Sequence, residues 1–148
     1  MKIDNLTPHQ AFVTWEQSSR DSINVRRIYV DLAGDLIAGV ILSQIIYWHL
    51  PDRLGRQRLR VEWGDKKWLV KKRKDWWEEC RVSPKQFDRA IGELKAAGIV
   101  TVEKHKFRGS PTTYIALNWD LVYHGICVLE EMKDSKVQNE KAKVISGP

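Results

Sequence analysis

Apolar residues crowd one stretch of this chain and thin into periodic stripes elsewhere. From Leu36 to Leu50 they lie nearly all round a helical wheel: Leu36, Ile37, Val40, Ile41, Leu42, Ile45, Ile46, Tyr47 and Trp48. Such a helix is buried on several sides. The pattern predicts a central helix over 36–50, entered through Gly34-Asp35 and ended by Pro51. Further on the pattern narrows to a stripe, with Phe87, Ala90, Ile91 and Leu94 at i, i+3, i+4 and i+7. Its ends are written in local chemistry. Ser83 is an N-cap, Pro84 occupies the first helical position, and Gln86 completes a capping box. Gly98 follows Ala97 as the terminating glycine. The opposite face carries Lys85, Arg89, Gly92 and Ala96, flanked by Asp88 and Glu93. Cations beside residues with almost no side chain make a face that can approach a phosphate backbone closely.

The flanking segments extend this into an ordered series. Arg73–Arg81, with Trp76 and Cys80 on one face, predicts a preceding helix, and Arg81-Val82-Ser83 is a short link. Ile99–Lys104 and Thr113–Leu117 are β-branched strand candidates, joined by a loop from Lys104 to Thr112 whose Gly, Ser and Pro form a turn. The order helix, turn, helix, strand, wing, strand predicts an α+β, mainly α domain: a winged helix-turn-helix with a β-hairpin wing. Around it, Ile28–Leu32 reads as a short strand or extended entry. Leu59-Arg60-Val61 and Trp68-Leu69-Val70 read as a β-pair turned at Gly64-Asp65, and Trp119–Met132 as the final helix. Residues 1–27 are expected to be a loosely ordered lead-in, anchored in part by Pro8, Phe12, Val13 and Trp15. Residues 28–132 are the domain. Residues 133–148 are a polar tail or an extended helix end.

Composition sharpens the partner. The 148 residues suffice for one domain. The formal net charge is +6, yet Arg53–Lys74 holds ten Lys or Arg against Glu62 and Asp65, or +8 in 22 residues. A basic run focused in this way favours a polyanion. No lipidation motif points to a membrane, and the apolar run is shorter than the ~20 residues a span needs. Cys80 and Cys127 stand alone, and the N-terminus lacks a secretory core, so reduced thiols and a cytoplasmic location are expected.

Catalytic spacings are absent from the sequence: no HExxH, HxE, GxGxxG, P-loop or GxSxG. His9, His49, His105 and His124 fall on different elements. The expectation is a non-enzyme with no cofactor and no metal. His49 is expected at a helix C-terminus, where partial charge favours it.

Four stretches carry a family resemblance: Ala38–His49 with its Gln44-Ile45-Ile46-Tyr47-Trp48, Trp68–Trp77, Val82–Val100, and Thr112–Asn118. Together they resemble the winged-helix domains of phage, plasmid and mobile-element replication proteins, including the N-terminal domains of DnaD-like replication organisers. Lys72 stands where that group often has a capping Thr. The resemblance implies a role in replication initiation or its control.

The resulting expectation is double-stranded DNA binding. Lys85, Gln86 and Arg89, behind the Ser83 cap, would enter the major groove, where Gln and Arg make bidentate contacts to base edges. Lys71, Lys72, Arg73 and Lys74 would hold phosphates at the start of the first motif helix, and Lys104, Lys106 and Arg108 would place the wing, with His105 near phosphate. A homodimer through the Leu36–Leu50 helix is expected beside a core role for it. The alternative is an interaction module that binds a host replication, transcription or defence protein. RNA ranks below both, because no aromatics stack on a predicted sheet face.

Overall fold

The computed structural model describes residues 5–145, in the order α1 (Pro8–Ser18), α2 (Arg27–Ala33), α3 (Leu36–His49), β1 (Val61–Trp63), β2 (Lys66–Lys71), α4 (Asp75–Cys80), α5 (Pro84–Ala96), β3 (Val100–Phe107), β4 (Ser110–Leu117) and α6 (Trp119–Ile145). It is a mixed fold of helices and one four-stranded antiparallel sheet, ordered β1-β2-β4-β3. The helical layer covers one sheet face. There α3 buries Ala38, Gly39, Ile41, Leu42, Ser43, Gln44, Ile45, Ile46 and His49. Leu69, Ile115 and Leu117 of the sheet join it, with Trp76, Phe87, Ala90 and Leu94 of α4 and α5. The apolar helix is thus spent on its own chain, leaving Leu36, Tyr47 and Leu50 exposed.

Local chemistry explains most boundaries. Asp35 caps α3 by accepting from the Ala38 N–H at 3.1 Å. At its other end Arg58 donates to the carbonyls of Tyr47, Leu50 and Pro51 and lies 4.0 Å over the Tyr47 ring. Both hairpins turn on two residues with positive φ, Gly64-Asp65 and Arg108-Gly109, as tight hairpins matching strand twist require.

Several expectations are corrected. Residues 28–32 are helical, not a strand. Gly34 ends α2 in the left-handed region (φ 84°), and α2 crosses α3 at Gly39, where a Cβ would meet the Val30 Cα at 2.7 Å. Tertiary packing overrides the β-branched preference of Ile28 and Val30. The lead-in contains α1, capped by a box in which Thr7 and Gln10 bond reciprocally at 3.2 and 3.0 Å. None of its residues is buried, so Phe12, Val13 and Trp15 do not anchor it. The wing loop expected from Lys104 to Thr112 is mostly strand, and the turn is Arg108-Gly109 alone. Of the two readings of the C-terminal stretch, helix extension holds through Ile145. From residue 133 up to that point it holds four Lys and no Gly or Pro to break the helix; residues 146–148 lie outside the described residues. His49 does close the last turn of α3, as expected, but it is buried there and bonded through both ring nitrogens rather than left to the helix dipole. Its Nδ1–H donates to the Ile45 carbonyl at 2.7 Å, and its Nε2 accepts from the Leu117 N–H at 3.2 Å. Burial lowers its pKa.

Candidate nucleic-acid interface

Helices α4 and α5 are fixed to each other by the Trp76 and Phe87 rings, stacked at 5.2 Å and 20° and both essentially inaccessible. Arg81 ends α4 with φ 60° and donates to the Trp77 carbonyl at 2.8 Å. The Ser83 box then starts α5: Ser83 Oγ accepts from the Gln86 N–H at 3.2 Å, and Gln86 Oε1 accepts from the Ser83 N–H at 2.9 Å. Phe87, Ala90 and Leu94 face the core. Lys85, Gln86, Asp88, Arg89, Gly92, Glu93 and Ala96 are exposed.

A cleft of about 460 Å³ lies between α2, α3 and Glu79, but the cations gather elsewhere. Lys72, Arg73 and Lys74 line a second cleft of about 360 Å³ with Pro84 at the start of α5 and Lys104, Pro111, Thr112 and Thr113 of the hairpin. Four of the expected contact residues, from two separate segments, therefore converge at the entrance to α5. Strand alternation explains the hairpin's side of the cleft. In antiparallel pairing Lys104 lies opposite Thr113 and Lys106 opposite Pro111, which places Lys104 and Lys106 on the cleft side and His105 and Phe107 on the other.

Other cations are already engaged. Arg73 forms a two-pronged pair with Asp88, both contacts at 2.8 Å, and Arg89 bonds Asp35 at 3.1 Å and Glu93 at 2.9 Å. These pairs are surface-exposed, and such pairs contribute little, so phosphate can displace them. The Asp35 and Glu93 partners raise the Arg89 pKa. Asp35 is lowered by its cap bond to Ala38, with Arg89 adding to the effect.

Lys71 is placed differently from its neighbours. Its Nζ pairs with Glu79 at 2.8 Å, with side-chain exposures of 16% and 10%. Glu79 also accepts from Trp48 Nε1 at 2.7 Å and Gln44 Nε2 at 3.3 Å. Lys71 thus joins α3, β2 and α4 and is not presented with Lys72–Lys74. Nor does the basic run 53–74 form one patch: Arg56 pairs with Asp52 at 2.8 Å and Arg58 caps α3. With six residues and Asp75 and Glu78 in its first turn, α4 offers no useful dipole, so Lys72 and Lys74 act through their own charges. Arg108 sits at the hairpin turn, its guanidinium 5.5 Å from the Phe107 ring.

The sequence predicts no stacked aromatics on a sheet face, yet the face away from the helices carries them. Trp63 stacks on Trp68 at 4.9 Å and 24°. Tyr114 and His105 stand edge-on to Trp63 at 6.0 and 4.7 Å. The available signal is the alternation of β1 and β2, but only the strand order β1-β2-β4-β3 reveals that Tyr114 lies beside them.

Among the described residues, no group of three or more His, Cys, Asp or Glu is placed to hold a metal ion, and no single helix is long and apolar enough to cross a membrane. Comparison with known protein families, with curated proteins and with solved structures returns no match.

Proposed function

We propose that this chain is a winged helix-turn-helix domain that binds double-stranded DNA, with α5 as the recognition helix and the β3–β4 hairpin as the wing. The observation that carries this reading is the cleft where Lys72, Arg73 and Lys74 meet Lys104 beside Pro84. Cations flanking the start of an exposed helix face fit phosphates on either side of a groove, while Lys85, Gln86 and Arg89 reach base edges. Gly92 allows close approach, since a Cβ at that position would have nothing within 4 Å. A role in replication initiation or its control in a phage or mobile element rests on the resemblance of Ala38–His49 and Val82–Val100.

Selection from random duplex DNA at two salt concentrations tests this. Affinity should fall steeply with salt, and Lys72→Ala with Lys74→Ala and Lys104→Ala should flatten the log–log slope by roughly 0.9 per lost phosphate contact. Lys85→Ala with Arg89→Ala should erase any selected motif. Absence of duplex binding at low salt refutes the reading.

A second reading has its own observation. Helix α1 buries none of its residues and exposes Phe12, Val13 and Trp15. An isolated helix of 11 residues is marginal in water, which favours a protein partner, either a replication or host protein or a second copy. A homodimer through α3 would have Leu36, Tyr47 and Leu50 to work with.

A further inference from the structure

We propose that the outer face of the sheet binds unpaired bases of a single-stranded nucleic acid, with Trp63 as the stacking ring. This surface lies on the opposite side of the hairpin from the Lys72–Lys104 cleft, meets the expected wing contacts only at His105 and Arg108, and does not depend on the duplex reading. Trp68, Tyr114 and Ala116 form a small apolar cluster on this face, apart from the main core. Trp68 is 4% and Tyr114 8% exposed, whereas Trp63 above them is 42% exposed. Trp63 is therefore the outer ring of the pair, with one side on Trp68 and much of the remainder in water. The rings of Tyr114 and His105 brace it at 78° and 76°, so it is already fixed before any ligand arrives. A pre-positioned indole with a free surface is what a splayed-out base requires.

Charge selects a polyanion over a neutral apolar partner. Lys66 lies directly across from Trp63 in the β1–β2 register, its Nζ 5.9 Å from the Trp68 ring. Along β3, Phe107 follows His105 by two residues on the same face and is 37% exposed, with the Arg108 guanidinium 5.5 Å from its ring. The track thus runs from Trp63 and Lys66 past His105 to Phe107 and Arg108, with a cation at each end of the line of rings. Glu103 shares this face, and its carboxylate is held on His105 Nε2 at 3.2 Å. Every base offers a π-face, so such a track tolerates any sequence, unlike the duplex site.

The test uses the full chain and a fluorescein-labelled oligothymidylate of about fifteen nucleotides, which stays unpaired and fits a site of ordinary length. Trp63→Leu keeps apolar cover over Trp68 but removes the ring, and Trp63→Phe keeps a ring. Loss of one stacked base predicts binding weaker by about tenfold in Trp63→Leu and by less than about threefold in Trp63→Phe. Duplex binding should be unchanged in both. Lys85→Ala with Arg89→Ala should leave oligothymidylate binding intact. In the unaltered protein, the Trp63 indole N–H resonance should move on titration, a readout independent of how the variants fold. Equal affinity of Trp63→Leu and the parent overturns the proposal, as does an unmoved Trp63 resonance at saturation. Binding of a proline-rich peptide without any oligothymidylate binding also overturns it.

Discussion

Replacing Glu79 with Gln removes one charge from a site that three elements share. The carboxylate of Glu79 accepts from Lys71, Trp48 and Gln44, and the Lys71–Glu79 pair is 16% and 10% exposed. Gln is nearly isosteric and its oxygen still accepts from the Trp48 indole. Its amide then faces the Lys71 ammonium, donor against donor, and leaves a largely buried cation without a counter-charge. Breaking a buried pair from one side costs roughly 3–5 kcal/mol, and the residual exposure here puts the expected loss near the lower value. For a domain of this size that is a fall in melting temperature on the order of 6–12 °C. Lys71→Met should cost less, about 1–2 kcal/mol, because Glu79 keeps two donors. Urea titration of the parent, both single variants and the double variant closes a cycle whose coupling should be about 2 kcal/mol. A Glu79→Gln loss below about 1 kcal/mol, or a coupling near zero, would show that the pair is solvated and that Lys71 is as available to phosphate as Lys72.

Three further outcomes follow from other sites. Burial holds the His49 pKa below its usual 6.5, so the native state resists a proton that the unfolded chain accepts. Its stability contribution is complete above about pH 6.5 and is lost as pH falls below that towards the lower folded value; melting curves of the parent and His49→Gln should diverge there, and parallel curves would refute the neutral assignment. Gly39→Ala would push a Cβ to 2.7 Å from the Val30 Cα, which moves only with α2, whereas Gly125→Ala meets the mobile end of Leu32 at 2.6 Å. The first should cost about 1–3 kcal/mol and the second little, and equal denaturant midpoints would contradict the close α2–α3 crossing. Burial pushes the Cys80 thiol up to about 11, so alkylation at about pH 8 should await unfolding, since only thiolate reacts; rapid labelling of Cys80 in the folded protein would refute it.

The elements legible in the sequence are those whose ends carry their own chemistry. Ser83-Pro84-Lys85-Gln86 announces α5, and Gly64-Asp65 locates a hairpin turn. Thr7-Pro8-His9-Gln10 writes the same box, yet α1 is missing from the expected lead-in. Pro8, Ala11, Phe12 and Trp15 even follow the cap at i, i+3, i+4 and i+7, so the helical signal is present in the sequence; what the pattern does not show is that this stripe stays unburied in the fold. The error at Ile28–Leu32 has the opposite origin. Its β-branched residues speak for a strand locally, and the fit of Val30 against Gly39 decides for a helix. Charge is the least legible property. Lys71 to Lys74 are four adjacent cations in the sequence, but strand alternation and Glu79 draw the first inward while the other three reach the cleft.

The β3–β4 hairpin shows how much function hangs on one register. Lys104 and Lys106 face the cleft beside α5, and His105 and Phe107 face the aromatic track, because successive side chains of a strand point to opposite sides. A slip of one residue would exchange the two sets entirely. Two features prevent it. The Arg108-Gly109 turn closes the pair Phe107–Ser110 with positive φ at both positions, and β4 is held from its other side by β2 through Leu69–Ile115 and Lys71–Thr113. The Lys71–Glu79 pair therefore reaches the β3–β4 hairpin as well: it anchors the end of the strand that fixes β4, and β4 fixes which side of β3 each cation occupies. On the proposed duplex site, loosening that pair with Glu79→Gln should weaken duplex affinity in a binding titration without altering any residue proposed to contact DNA.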